Sequence, residues 1–356
     1  MVTFKYEEMT SAGRLIKYVS VCFILLFLTI VPADAQRSAQ GPVRLTIYPA
    51  KAGELDKKYQ LMVNPEDQID ADAVPLYEKA IKSIPKDFNQ EQITEWLNLP
   101  VAQFPQQQAE ETLQKYLEPL KLVVRAARCR DCNWPQWKPG DEPVDLSGYR
   151  KLAFILELWA RLEISQGGYE GANIAIRTGF GMARHLGQAP TIVQGLVGIA
   201  VGAIMCKELE QYAQGQDSPN LYQMLADMPR PLVDVEKAIE IEKKVILDLP
   251  PDDIRREQTA EQKEAAFDRV RSISKCLDNN LNGLQCVEAM RHYAATHNEQ
   301  LPDTLSDISQ VELPNDVMSD KMFEYRRTAA GARLQSMIPE GGNERDTFNY
   351  EIVLKK

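Results

Sequence analysis

The segment from Leu146 to Gly168 constrains the fold most. In "LSGYRKLAFILELWARLEISQGG", Leu152, Ile155, Leu156, Trp159 and Leu162 recur at steps of three and four. That spacing puts them on one face of a helix. Gly167 and Gly168 end it, and helical patterning resumes in "YEGANIAIRTGFGMARHLG", with Gly187 as a C-cap. "APTIVQGLVGIAVGAIMCKELEQYAQG" predicts a third helix, "DSPNLYQMLADMP" a fourth capped by Ser218, and "PLVDVEKAIEIEKKVILDL" a fifth. Helices this close in sequence stack as hairpins. No fixed 34-residue period is present, so the pattern predicts an irregular bundle or short α-solenoid.

Similar patterning begins near Asp70. "DADAVPLYEKAIKSI" opens on capping aspartates, and "NQEQITEWLNL" follows. "PQQQAEETLQKYLEPLKLVVRAAR" predicts one long helix bent at Pro119, where the ring removes a hydrogen bond. Upstream, Val43–Pro49 and Tyr59–Asn64 have strand character, and the charged stretch between them suggests a hairpin.

The first residues are set aside as a targeting segment. Arg14 and Lys17 precede the apolar run Val19–Val31, and "ADAQ" offers a cleavage point after Ala35. The run is shorter than the roughly 20 residues a spanning helix needs. The expectation is export to the periplasm or beyond, with no stable membrane span after cleavage. Gly198 and Gly202 form a G-x-x-x-G, but the apolar run from Gly195 to Cys206 is short, so close packing in a soluble core is expected. The predicted organisation is a leader at 1–35, a short β lead segment at 36–69, a helical domain at 70–250, a charged linker at 251–261, and a last unit at 262–356.

That last unit starts with an amphipathic helix bearing Phe267, Val270, Ile273, Leu277, Leu281, Leu284, Val287 and Met290. It ends in "AMRHYAATHNEQLPDTL". Then "LPNDVMSDKMFEYRRTAAGARLQSM" and "DTFNYEIVLKK" supply a turn and three strands. Residues 262–356 resemble the C-terminal half of type II secretion pseudopilins, and the middle block is similar to uncharacterised exported bacterial proteins that carry such tails. The resemblance implies a small α+β domain and an envelope location, but no catalytic motif. It departs from the pattern in one respect. The helix carries Glu264, Asp268, Arg269, Arg271 and Lys275 in place of an apolar fibre-forming segment. The implied module is a folded domain that does not polymerise. The whole chain is therefore expected to be mainly α.

The formal charge of −10, with no run of five basic residues, opposes sequence-independent nucleic-acid binding. The chemical candidates centre on "AARCRDCNWPQW". In an exported chain Cys129 and Cys132 read first as a structural disulfide or as inert thiols. The alternative is thiol–disulfide exchange, with Cys129 attacking and Cys132 resolving. The pair follows the C-terminal end of a helix, where the dipole disfavours a thiolate, although Arg128 and Arg130 favour one. Asn133 in the place of histidine excludes the usual c-type haem site. No second C-x-x-C or C-x-x-H completes a zinc site.

Trp134 and Trp137 read as packing. Cys276 and Cys286 lie about 15 Å apart on one helix, beyond disulfide reach, and Cys206 reads as core. His185 is placed at a helix C-terminus as an imidazolium. His292 and His297 do not share a face. The G-x-G at Gly179 and Gly181 lies inside a helix and reads as packing. Glu157, Trp159, Arg161 and Glu163 read as a solvated face or a groove lining. No metal or cofactor is expected. The leading expectation is a non-enzymatic binding or scaffolding protein with an unknown envelope partner.

Overall fold

The computed structural model describes residues 41–51, 59–138, 141, 144–248, 259–338 and 347–355. The expected leader at 1–35 and most of the expected linker at 251–261 lie outside them. The chain is mainly α-helical with a small sheet region.

The helices are α1 (Ala73–Lys82), α2 (Gln90–Leu97), α3 (Gln106–Gln114), α4 (Leu117–Ala127), α5 (Ser147–Ser165), α6 (Tyr169–Gly187), α7 (Ile192–Ala213), α8 (Tyr222–Ala226), α9 (Glu236–Asp248) and α10 (Ala260–Thr296). The strands are β1 (Val43–Ile47), β2 (Ile69–Asp72), β3 (Cys129–Asp131), β4 (Glu324–Thr328), β5 (Gly331–Gln335) and β6 (Asn349–Leu354). The α5–α6–α7 layer holds the most extensive helix packing, as the patterning predicts. Gly198 and Gly202 pack closely there. A Cβ at Gly198 would sit 2.7 Å from the Ala183 carbonyl oxygen, and one at Gly202 the same distance from Leu277. By length and composition α7 could cross a membrane, but 67% of its apolar window is buried inside the structure. It is the core helix of this domain.

Helix α10 belongs to two cores. Phe267, Val270, Leu277, Leu281 and Leu284 join the helical core. Cys286, Val287, Ala289 and Met290 join the sheet core with Leu45, Ile47, Leu334, Tyr350 and Ile352. One helix of the expected last unit, residues 262–356, thus contributes to both cores. Asp278 and Asn279 lie in mid-helix without interrupting it, because neighbouring segments use their polar groups. The Leu232 N–H donates to Asp278 Oδ1 at 3.0 Å. Asn279 Nδ2 donates to Asp316 Oδ1 at 3.1 Å, and the Val317 N–H to Asn279 Oδ1 at 2.7 Å.

The strands predicted near the C-terminus are present, in sheet order β1-β6-β5-β4. β4, β5 and β6 are antiparallel, and β1 adds parallel to β6. This corrects the expected hairpin: β1 does not pair with Tyr59–Asn64, and Leu61 packs in the helical core instead. Leu45 and Ile47 are buried apolar residues at alternate positions, and they fill the inner face beside Ile352. The 36–69 segment is thus divided between the two cores.

Other local readings also change. The expected long helix is two, α3 and α4, separated near Lys115–Tyr116. Pro119 lies in the first turn of α4, where the missing N–H has no helical partner to lose. Ser218 caps no helix. Its hydroxyl and carbonyl both accept from Arg291 Nη2 at 2.9 Å. Arg291 is fully buried. It also donates from Nη1 to both Glu288 carboxylate oxygens at 2.9 Å and from Nε to the Tyr48 carbonyl at 3.1 Å. One guanidinium thus joins α10, the chain after β1, and the segment leading to α8.

Candidate functional site

Two regions beside α4 carry the features that sequence reading singled out. The first is the cysteine cluster. After α4, the chain turns directly into β3, which pairs in parallel with β2 (Ile69↔Cys129). Asp72 ends β2 and caps α1: its Oδ1 accepts from the Val74 N–H at 3.1 Å and from the Asn133 N–H at 2.9 Å. That carboxylate ties the C-x-x-C segment to the start of the helical domain.

Cys129 and Cys132 are free thiols here, so the expected bridge is not formed in this structure. Cys129 Sγ donates to the Arg125 carbonyl at 3.6 Å, and Cys132 Sγ to that of His185 at 3.9 Å. The two sulfurs thus approach carbonyls on different helices. Burial raises the Cys129 pKa; Arg125 opposes the shift and Asp72 adds to it. Burial pushes the Cys132 thiol up to about 12, with Asp72 and Cys129 acting in the same direction. Both stay protonated near neutral pH, the state opposite to that of an attacking thiol.

His185 is the centre of this cluster. Its Nδ1 lies 2.9 Å from the Tyr77 hydroxyl. Trp134 Nε1 donates to its carbonyl at 2.8 Å, and the Trp134 ring packs on Tyr149 at 5.7 Å. Burial drops the His185 pKa to about 4, against a hydrogen bond to the Cys129 backbone. The imidazole is therefore neutral, which corrects the expected imidazolium. Desolvation outweighs the helix dipole because the ring is only 5% exposed. Trp134 packs as expected, and Trp137 lies against the same core.

The second region is a groove between α3–α4 and α5, with a volume of about 520 Å³. Leu113, Leu117, Leu120, Val124, Trp159 and Leu162 form its apolar lining, with Glu110, Lys121 and Gln166 among its polar edge residues. Leu117 is 45% exposed. Trp159 Nε1 donates to Glu163 Oε1 at 3.0 Å, which fixes the indole against this wall.

The other two residues of the expected polar face of α5 are buried. Arg161 Nη2 and Nε donate to the Glu208 carboxylate at 2.6 and 2.9 Å, and its Nη1 to the Leu97 carbonyl at 2.9 Å. Glu157 pairs with Lys207 at 3.2 Å. Burial raises the Glu157 pKa to about 7, against the pull of Lys207. The solvated-face reading fails for these two because α7 presents Lys207 and Glu208 opposite them. Sequence reading missed this network, since the signal lies in "CKELE" of another helix, whose pairing with α5 only the fold supplies.

Among the described residues no group of three or more histidine, cysteine, aspartate or glutamate side chains is arranged to hold a metal ion. His297 stacks on the Tyr293 ring at 3.8 Å, and its Nδ1 lies 2.9 Å from the Tyr293 carbonyl. Cys286 is a buried thiol in the sheet core, pushed up to about 12 by burial.

No protein-family model matches the chain, and neither a curated protein nor a solved structure is significantly similar to it.

Proposed function

We propose that this chain is an exported envelope protein that binds and holds a protein partner without catalysing a reaction. The observation that carries this reading is the apolar groove on the helical domain. Its lining is leucine-rich, one leucine is substantially exposed, and Trp159 is fixed in its wall. Apolar clefts of a few hundred Å³ with a polar edge are common binding sites. A gap between α3–α4 and α5 lined by Leu113, Leu117, Leu120 and Leu162 suits an amphipathic helix, whose apolar residues at helical spacing would replace water along the leucines. The leader pattern in residues 1–35 supports export, and residues 262–356 support a pseudopilin-like module through their long helix and antiparallel β4-β5-β6 hairpins. Because the first half of α10 is committed to the helical core, that module acts as a fixed platform.

Thiol–disulfide exchange is the weaker reading, because burial holds both Cys129 and Cys132 in the protonated form. The test is site-specific photo-crosslinking in the envelope. A photoreactive residue at Leu117 is expected to give a discrete partner adduct, and one at Leu247, which is 74% exposed and is not among the groove-lining residues, none. Equal adducts at both positions, or none at Leu117, would remove the groove as the binding site.

A further inference from the structure

The sheet has two edges, and they are treated differently. At the β1 edge, the Thr46 N–H donates to Gln214 Oε1 at 3.0 Å, so the end of α7 covers it. Tyr350, one strand in, donates from its hydroxyl to Glu210 at 3.0 Å and fastens the same side. At the other edge, β4 pairs only with β5, and among the described residues no further backbone hydrogen bond reaches Glu324–Thr328. Four of its five residues are exposed. An open strand edge is a template for pairing with another chain.

The outer face of the sheet gives this edge a sign. Arg44 of β1 lies opposite Glu351 of β6, Glu351 opposite Arg333 of β5, and Arg333 opposite Arg326 of β4. All four are exposed. The row across the sheet therefore reads plus, minus, plus, plus, in a protein of net charge −10. Among the described residues no carboxylate lies within 4.0 Å of Arg44, Arg326 or Arg333, and Arg333 Nε is directed to Asn349 at 2.9 Å. Like charges directly opposite each other on neighbouring strands are unfavourable. A carboxylate on the far side of Arg326 would relieve that contact and continue the row. Strands are about 4.8 Å apart, so a side chain on an added strand would come within ion-pair range of Arg326. Tyr325 and Arg327 take the alternate positions, with the Tyr325 hydroxyl donating to the Pro302 carbonyl, and Glu324, two residues before Arg326 on the same face, accepts from Gln335 Nε2.

We propose that β4 receives an extended acidic peptide segment as a fifth strand, with an aspartate or glutamate of that segment opposite Arg326. Backbone pairing supplies the attachment, and the arginine row supplies the preference for acidic over basic sequence. This surface is separate from the groove, and the proposal stands or falls independently of it.

The test uses the full-length protein and two fluorescent heptapeptides. Both alternate valine and threonine with a charged residue at every second position; one carries glutamates and the other lysines. The glutamate peptide is expected to bind the wild type, and Arg326→Glu to weaken it about tenfold, since a favourable cross-strand pair becomes an unfavourable one. The lysine peptide is expected to show the reverse preference. Arg326 is exposed, and an unchanged circular dichroism spectrum of Arg326→Glu checks that the fold is kept. Hydrogen exchange is expected to show protection of the β4 amides only with the glutamate peptide and wild type. No binding, or binding that Arg326→Glu leaves unchanged, would overturn the proposal. So would a dimer in sedimentation that Arg326→Glu dissolves, because the edge would then serve a second copy of the chain.

Discussion

The cysteine cluster follows directly after α4 and the groove lies along it, yet they are opposite in character. The cluster collects the residues that invite chemistry: two thiols, a histidine and a tyrosine. The fold buries them, keeps the imidazole neutral and both thiols protonated, and pairs Tyr77 with the His185 ring and each thiol with a backbone carbonyl. The groove collects ordinary leucines and a tryptophan: Leu113, Leu120 and Leu162 form its buried wall, and Leu117 is left exposed. In this chain, chemical suggestiveness in sequence and accessibility in structure are separated. Function follows the accessible side if the cluster is structural.

That contrast breaks most visibly if the buried polar groups are dispensable. Arg161→Met leaves the Glu208 carboxylate buried without its guanidinium. It is expected to cost about 3–5 kcal/mol in denaturant-induced unfolding, and a loss below about 1 kcal/mol would show the pair to be replaceable. Next, the thiol of Cys132 should be nearly silent. At pH 8 a thiol of pKa about 12 is expected to alkylate about a thousandfold more slowly than the same thiol in denaturant. Fast native labelling of Cys132 would place it on the reactive side of the contrast.

A pH series sharpens the comparison further. The folded pKa of His185 is lowered to about 4, below its unfolded value of about 6.5. The unfolded state therefore takes up the proton first, and stability is lost as pH falls from about 6.5 towards 4. Glu157 has the opposite sign: its folded pKa is raised to about 7, so it contributes more stability as pH falls through that value. Between pH 7 and 5 the wild type is expected to lose about 2 kcal/mol more than His185→Gln. Glu157→Gln is expected to steepen the loss in the wild-type background. Parallel profiles for wild type and His185→Gln would mean that the imidazole is solvated.

The smallest thermodynamic effect belongs to the groove. Leu117→Asp is expected to change stability by less than about 0.5 kcal/mol, because Leu117 is already 45% exposed. The same change is expected to abolish partner capture. A large drop in stability would make Leu117 a core residue and remove the distinction.

Much of the architecture was legible because it is local. The three-and-four spacing in "LAFILELWARL" identifies α5, and the small residues of "GLVGIAVG" identify a helix that others approach closely. The strand patterns of β4, β5 and β6 were readable for the same reason. What sequence reading missed is nonlocal. β1 looked like half of a hairpin, but its partner is β6, some 300 residues away. Glu157 and Arg161 looked solvent-facing because their counter-charges lie on α7. His185 looked like a dipole-stabilised cation because Tyr77 and Trp134, which enclose it, are distant in sequence. Spacing along one helix does not encode which helix lies opposite.

The central claim is that the groove, and not the cysteine pair, meets the partner. The most direct test compares two versions of the full-length, tagged protein in the same envelope preparation. One carries the photoreactive residue at Leu117, and the other is Cys132→Ser, which would trap a mixed disulfide on Cys129. A defined crosslinked partner from the first, and no reductant-sensitive adduct from the second, is the expected result. Reductant-sensitive adducts from Cys132→Ser, with nothing crosslinked at Leu117, would contradict the account and make Cys129 the functional group.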